Sequence, residues 1–421
     1  MVSQPQFVCL NLIILYCVVM NRNNRRRNTS SRHALLVRII LALSVLAIII
    51  AFVGCGRSSA VVIHFPDTEL ESAIRRVIEK PTGDINDTDL IGLTHLSAND
   101  RGISNLEGIQ HCVDLTNLVL PRNEIADIGL LTDLTELIVL DLRENQIGDI
   151  SMLSSLPHLE RLSLSGNKIA DIGMLSDASR QLSLIELNDN EIVDIRSLAS
   201  LTNLTVLELG GNRIADISAL AALTDLKTLR LYDNQIVDIG AIANLSALTV
   251  LTLDGNQIID ISPLSELTRL TGLVLTDNQI SDVSALSRCR NLTRLYLGDN
   301  QIVNIEVLSG LRNLTWLYLE GNRIIDIGPL SNLANLTWLY LDANEIIDIS
   351  PISGLTNLSR LSIHSNKITD IQALVVNPGL GNGDVVDIHG NAFGPTPGSP
   401  SCLAIEALQD RGVRITSDLQ D

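Results

Sequence analysis

Residues 314–352 read LTWLYLEGNRIIDIGPLSNLANLTWLYLDANEIIDISPI, and the second half restates the first. Trp316 and Trp338 are the only tryptophans in 421 residues, and each is followed two positions later by a tyrosine. Leucines, an asparagine, isoleucines and an aspartate recur at the same 22-residue offset. The unit continues in both directions from this pair. The asparagines that mark it run from Asn123, Asn145, Asn167 and Asn190 to Asn366, twelve of them in phase. One step is 23 residues, where DASRQLSL adds a position, and weaker copies stand at Asn99 and Asn391.

Written as L-x-x-L-x-L-x-x-N-x-I-x-D-I-x-x-L, the unit is a leucine-rich repeat. One copy cannot bury its own leucines, so stacked copies must share a continuous core. The expected fold is an α/β solenoid, a right-handed superhelix whose L-x-L segments line up as a concave parallel β-sheet. Alternation within each strand sends leucines inward and the residues between them outward. Each asparagine should turn the chain out of its strand and bond the backbone of the neighbouring coil. The aspartate four residues later suits a carboxylate cap on a short turn or 3₁₀ segment at the back. Calcium binding by that aspartate column is the alternative, and Asn304, which interrupts the column, argues for capping.

The flanks read as caps. In FPDTELESAIRRVIEK (65–80), Thr68 and Glu71 are spaced as a capping box, with Leu70, Ile74, Val77 and Ile78 along one helical face. GDINDTDLIGL (83–93) is expected to continue as a second short helix. SCLAIEALQDRGVRIT (401–416) reads as helix, glycine stop and strand. GLGNGD (379–384) has a glycine spacing reminiscent of phosphate loops, but without their lysine or strand–helix context it reads as a cap loop. Cys112 and Cys289 share one repeat position, eight repeats apart, and read as small core residues rather than a disulfide.

Residues 1–54 hold six arginines and no acid, so the remainder carries 30 − 6 = 24 basic against 48 acidic residues, a formal charge of −24. Such a surface repels nucleic acid and anionic lipid and favours a basic partner. The arginine-rich run ends at Arg38, and the uncharged stretch Ile39–Gly56 lies at the border between a signal core and a membrane span. Its end, FVGC before Gly56, resembles a bacterial lipobox with Cys55 as the lipidated residue, although Phe52 stands where leucine is usual. An uncleaved anchor is the alternative, and Met20 begins a more ordinary signal sequence than Met1. Both readings place everything after Cys55 outside the cytoplasm. The expected organisation is a leader over 1–54, a linker over 55–63, a helical cap with a degenerate first repeat over 64–112, repeats over 113–372, and a degenerate last repeat with the C-terminal cap over 373–421.

The caps and repeats such as LTNLTVLELGGNRIADISAL (201–220) resemble the internalin-like leucine-rich-repeat proteins of bacteria over roughly residues 64–421. The resemblance implies an adhesin or binding module whose concave strands grip a protein or glycan. Attachment is expected through the lipid-type leader rather than through the wall-anchoring modules of many such proteins.

Outward strand positions lie six, four and two residues before each asparagine. The first column carries Arg294, Trp316, Trp338 and Arg360, and the second Tyr296, Tyr318 and Tyr340. The third carries Glu320, Asp342, His364 and then His389, with Tyr232 in an earlier coil. Aromatics and arginine dominate interface hot spots, and here they point away from the core. The candidate partner-binding residues are therefore Arg294, Tyr296, Trp316, Tyr318, Trp338, Tyr340, Arg360, His364 and Tyr232. The competing reading is a copied Trp-x-Tyr block that only stabilises neighbouring strands. The histidines show no nucleophile or zinc-ligand spacing. Glu320, Asp342, His364 and His389 could bridge a divalent ion, but read better as a mixed-charge rim. No catalytic residue, metal or cofactor is expected. The chain reads as a monomeric, exported, membrane-anchored binding module, with a non-binding envelope spacer as the alternative.

Overall fold

A computed structural model describes residues 60–177, 180–394 and 398–418. The leader, Met20 and Cys55 lie outside the described residues. Residues 62–421 form one compact unit, and the architecture below is that of this unit.

Each repeat contributes one three-residue strand. Fifteen of them, from β1 (His95–Ser97) to β15 (Arg414–Thr416), form one parallel sheet in strict chain order. Register advances by one repeat per strand, as in Leu317 opposite Leu339. Within one coil, Leu314, Leu317, Leu319, Ile324, Ile327 and Leu330 are fully buried, closed over by the coils on either side. The interior is thus a stack of identical apolar layers, as expected of a solenoid.

The asparagine ladder holds the layers in register. Asn256 accepts the Ile236 N–H through Oδ1 at 3.0 Å. Its Nδ2 donates to the carbonyls of Leu231 and Leu253 at 2.9 and 3.0 Å. The residue before each ladder asparagine sits at positive φ, as at Gly321 (+64°) and Asp299 (+49°), which is the turn the amide secures. At the back, Asp326 Oδ1 accepts the Gly328 N–H at 2.7 Å and opens the 3₁₀ segment Gly328–Asn332. Asn304 does the same for Glu306 at 2.9 Å, so the column caps turns with either residue type.

The N-terminal cap differs in detail from the expectation. Helix α1 (Thr68–Val77) is capped by Asp67, whose Oδ1 accepts the N–H groups of Glu69 and Leu70. Thr68 lies inside the helix, and Glu71 pairs with Arg75 at 2.6 Å instead of reaching back. The anticipated second helix is a single 3₁₀ turn, Asp87–Asp89, closed by Asp89 accepting the Asn86 N–H at 2.7 Å. Phe65 packs on Gly108, whose φ of +100° and bare Cα leave room for the ring; a Cβ would overlap it.

At the other end, α2 (Gln372–Val376) replaces a 3₁₀ turn, and α3 (Pro400–Asp410) ends before Gly412 at φ +84° and β15. GLGNGD is a cap loop between α2 and β14 (Val385–Asp387), pinned by the Gly381 N–H to Asp384 at 2.8 Å. Arg411 binds it to the end of α2 by donating to the Leu380 carbonyl of the loop and to the Val375 and Asn377 carbonyls, the last two at 2.8 and 2.6 Å. Cys112 and Cys289 are buried free thiols, pushed up by burial to about 12 and 11. Among the described residues, no helix is long and apolar enough to cross a membrane.

Candidate functional site

Four adjacent strands carry the aromatic columns: β10 (Arg294–Tyr296), β11 (Trp316–Tyr318), β12 (Trp338–Tyr340) and β13 (Arg360–Ser362). Their central leucines face the core, so parallel pairing places like side chains one strand apart on the concave side. Trp316 stands opposite Trp338, and Tyr318 opposite Tyr340. Arg294 and Arg360 take the same position on the strands to either side.

The side chains then stack. The two indoles lie face to face, centroids 4.6 Å apart and planes 8° from parallel. The Arg294 guanidinium covers the outer face of Trp316 at 4.7 Å, and Arg360 covers Trp338 at 4.8 Å. The row is a sandwich of two cations around two rings, an arrangement favoured by the ring quadrupole. Beside it, Tyr296, Tyr318 and Tyr340 form a continuous pile with centroids 4.4 and 4.5 Å apart. The tryptophans and tyrosines are half-buried and the arginines exposed. Burial pushes the Tyr318 hydroxyl up to about 12, with the neighbouring tyrosines adding to it. The accessible parts of the patch are ring edges and the arginine flanks, because each indole face is already covered.

Ser362 ends the tyrosine row and joins a second cluster. Its hydroxyl donates to Asp342, whose Oδ1 also accepts the His364 N–H at 3.0 Å. The His364 ring stacks on His389 at 4.5 Å, and His389 Nδ1 lies 2.6 Å from Asp387 Oδ1. That hydrogen bond raises the His389 pKa above its ordinary value. Glu320 folds over Gly298, in the space a Cβ there would fill, and its Oε2 has no hydrogen-bond partner. Burial holds both Glu320 and Asp342 above the usual carboxylate range. Among the described residues, no three His, Cys, Asp or Glu side chains are placed to hold a metal ion.

Eight of the nine candidate residues fall in this one region of the sheet. Tyr232 does not. It lies three repeats before the coil of Arg294, with its ring over Gly210. Ser362, Asp342 and Asp387, which orient the histidines, were not among the candidates. Their outward position in the columns was the signal available. On the N-terminal part of the concave face several charges are already paired with one another. Arg143 pairs with Asp141 at 2.7 Å, Arg230 with Glu208 at 3.4 Å, and Asn188 Nδ2 donates to Glu208 at 2.8 Å.

Comparison with known proteins fits this architecture. A leucine-rich-repeat profile matches residues 268–324, and a two-copy leucine-rich-repeat profile matches 135–177, 180–222, 224–266 and 334–375. The crystal structure of an internalin, InlF, from Listeria monocytogenes matches with a TM-score of 0.74 and 34% identity, over 77% of this chain and 97% of that one. A leucine-rich-repeat protein of Leptospira interrogans matches at TM-score 0.65 and 22% identity, over 76% of this chain and 88% of its own. The functional domain of InlJ from Listeria monocytogenes matches at 0.61 and 21%, over 77% of this chain and 80% of its own. The last two likenesses speak for the fold alone. No curated protein matches the chain by sequence.

Proposed function

The chain belongs to the internalin family of leucine-rich-repeat proteins, and from that premise we propose that it is an exported, membrane-anchored module that recognises a protein partner through its concave sheet. The observation that carries this reading is the arginine-capped tryptophan pair beside the tyrosine pile. This aromatic area stands outside the core, which Leu317 and Leu339 already fill. The solenoid does not require it: the same two columns hold Val250 and Thr252, then Gly272 and Val274, in preceding coils of the same register. A protein suits the patch better than a glycan. Sugars stack on aromatic faces, and here the indole faces are occupied. Ring edges, indole N–H groups and tyrosine hydroxyls on a rigid platform are the contacts that protein interfaces favour. Export and attachment at Cys55 rest on the arginine-rich, uncharged leader and its lipobox-like end.

A photoreactive phenylalanine analogue placed in the full-length chain tests the recognition surface. From Tyr318 it should crosslink to one discrete protein partner; from Thr252, outward-facing three coils earlier, it should not. The adduct should vanish when Trp316→Ser and Trp338→Ser are combined, with a stability loss of about 1 kcal/mol or less. An adduct that survives the double substitution, or none from Tyr318, refutes the reading. For attachment, palmitate should label the wild-type chain and not Cys55→Ser; an unlabelled wild type removes the lipid anchor.

A further inference from the structure

A second surface, independent of the concave sheet, runs along the flank where each coil leaves its asparagine. Three residues after the asparagine the chain exposes Val193, Val237, Ile259, Val303, Ile325 and Ile347, each 51–57% accessible. The coil does not need them there. The same position holds Gly148, Ala170, Ala215, Ser281 and Thr369 in other coils. Single exposed aliphatics are ordinary, but these occupy six of eight successive coils about 4.8 Å apart, interrupted by the small residues Ala215 and Ser281 and unbroken from Val303 to Ile347, and so form a stripe.

A row of carboxylates borders the stripe one residue further on, including Asp238, Asp260, Asp326 and Asp348, all exposed. Each gives Oδ1 to the N–H two residues ahead, at 2.7 or 2.8 Å, which fixes its place in the row. On the other side of the stripe, the coils of Val237, Ile259 and Val303 carry the uncharged Gln235, Gln257 and Gln301, and those of Val193, Ile325 and Ile347 carry Glu191, Arg323 and Glu345. The flank is therefore apolar along one line and anionic along the next.

We propose that this flank docks a cationic amphipathic helix laid along the solenoid axis. The charge rows call for basic residues beside an apolar face. The spacing matches as well: a helix advances 5.4 Å per turn against about 4.8 Å per coil, so one apolar and one basic residue per turn can follow the coils, with Ser281 the one gap in the apolar line and Asn304 the one gap in the carboxylate line between Val237 and Asp348. The mismatch of about 0.6 Å per coil accumulates to only about 2.4 Å over four coils, enough for a helix of four to five turns. A second copy of this chain would set aspartates against aspartates, and an anionic membrane would be repelled.

The test uses the full-length chain and two 18-residue peptides made only of leucine and lysine. One has its leucines at i, i+3, i+4 and i+7 spacing; the other is a scramble of the same composition. The patterned peptide should bind at least tenfold tighter than the scramble. Changing all six aliphatics to threonine, a residue the position already accepts at Thr369, should abolish that difference while the circular dichroism spectrum stays unchanged. The Trp316→Ser, Trp338→Ser variant should bind the patterned peptide like wild type, which separates this surface from the concave one. Equal binding of the two peptides would mean charge alone and would overturn the proposal. So would a six-site variant that still discriminates between them, or one whose only change is loss of self-association in sedimentation.

Discussion

Asn256 serves four backbone groups in two coils with one side chain, and no apolar residue can replace that. Asn256→Leu leaves the buried Ile236 N–H unpaired and takes from the Leu231 carbonyl the shorter of its two amide donors, at an expected cost of about 1–3 kcal/mol, read as a lower urea midpoint. Cys289 behaves otherwise. Taken as a small apolar core residue, it predicts that Cys289→Ser is harmful because a hydroxyl is buried. In the fold, however, its Sγ lies 3.6 and 3.8 Å from the Leu264 and Leu267 carbonyls. Asn377, four repeats on at the same position and fully buried, donates to the equivalent carbonyls of Ile352 and Leu355 at 2.9 and 3.1 Å. A serine hydroxyl would find two acceptors ready, so Cys289→Ser should cost less than about 1 kcal/mol. A loss as large as that of Asn256→Leu would refute this account. The asparagine's role was legible because a polar residue repeated among leucines can survive only by bonding backbone. The acceptors beside Cys289 were not legible, because the 3₁₀ turn of the preceding coil aims them.

At the scale of elements, the repeated strands and turns followed directly from the period, while the cap depended on contacts distant in sequence. Asp67 and Thr68 are both good capping residues, and the 68–71 spacing favours Thr68. Tertiary donors decide the matter. Asp67 Oδ1 closes α1, and Oδ2 accepts the N–H groups of Ser104 and Asn105 at 2.8 and 3.1 Å, 37 and 38 residues away. Burial pushes this carboxyl up, but the four N–H donors outweigh it and hold the pKa below the ordinary value. One side chain therefore both starts the helix and fastens it to the first repeat. Asp67→Ala should destabilise by about 1–2 kcal/mol and speed hydrogen exchange in α1 before the repeats. Thr68→Ala should do neither; the reverse ranking would restore the capping-box reading. The aromatic rows show the same division. Columns placed Trp316 beside Trp338, because pairing in register follows from the 22-residue step. They put Arg294 and Arg360 at the ends of that column and Tyr232 in an earlier coil, but could not show that the guanidinium groups lie over the indole faces, since rotamers follow from what each side chain meets in the neighbouring coil.

Over the whole molecule, charge accumulates, and two populations of carboxylates answer to pH in opposite directions. Burial holds Asp254 and Glu320 above the ordinary carboxylate range, so in the folded state they take up protons first. Acidification through their range therefore favours the fold. His389 acts in the same sense. Its hydrogen bond to Asp387 raises its pKa, so its contribution is present below the unfolded value of about 6.5 and fades as pH rises through the folded one. Relief of self-repulsion in a chain of net charge −18 adds to both. The turn-capping aspartates oppose them. The N–H two residues ahead holds Asp149, Asp216 and Asp282 low, and the Arg196 guanidinium holds Asp194 down to about 2. Their contribution is present above about pH 3.8 and is lost as pH falls through the folded values. The melting temperature should accordingly rise from pH 8 toward about 5 and fall below about 4. Salt should flatten the rising limb by screening the repulsion, and leave more of the acid limb, which depends on short hydrogen bonds. Glu320→Gln should shrink the rise on the side above the ordinary glutamate value of about 4.5 without moving the acid limb. A melting temperature that falls steadily from pH 8 to 4 would show that the concave carboxylates are not held above their ordinary range.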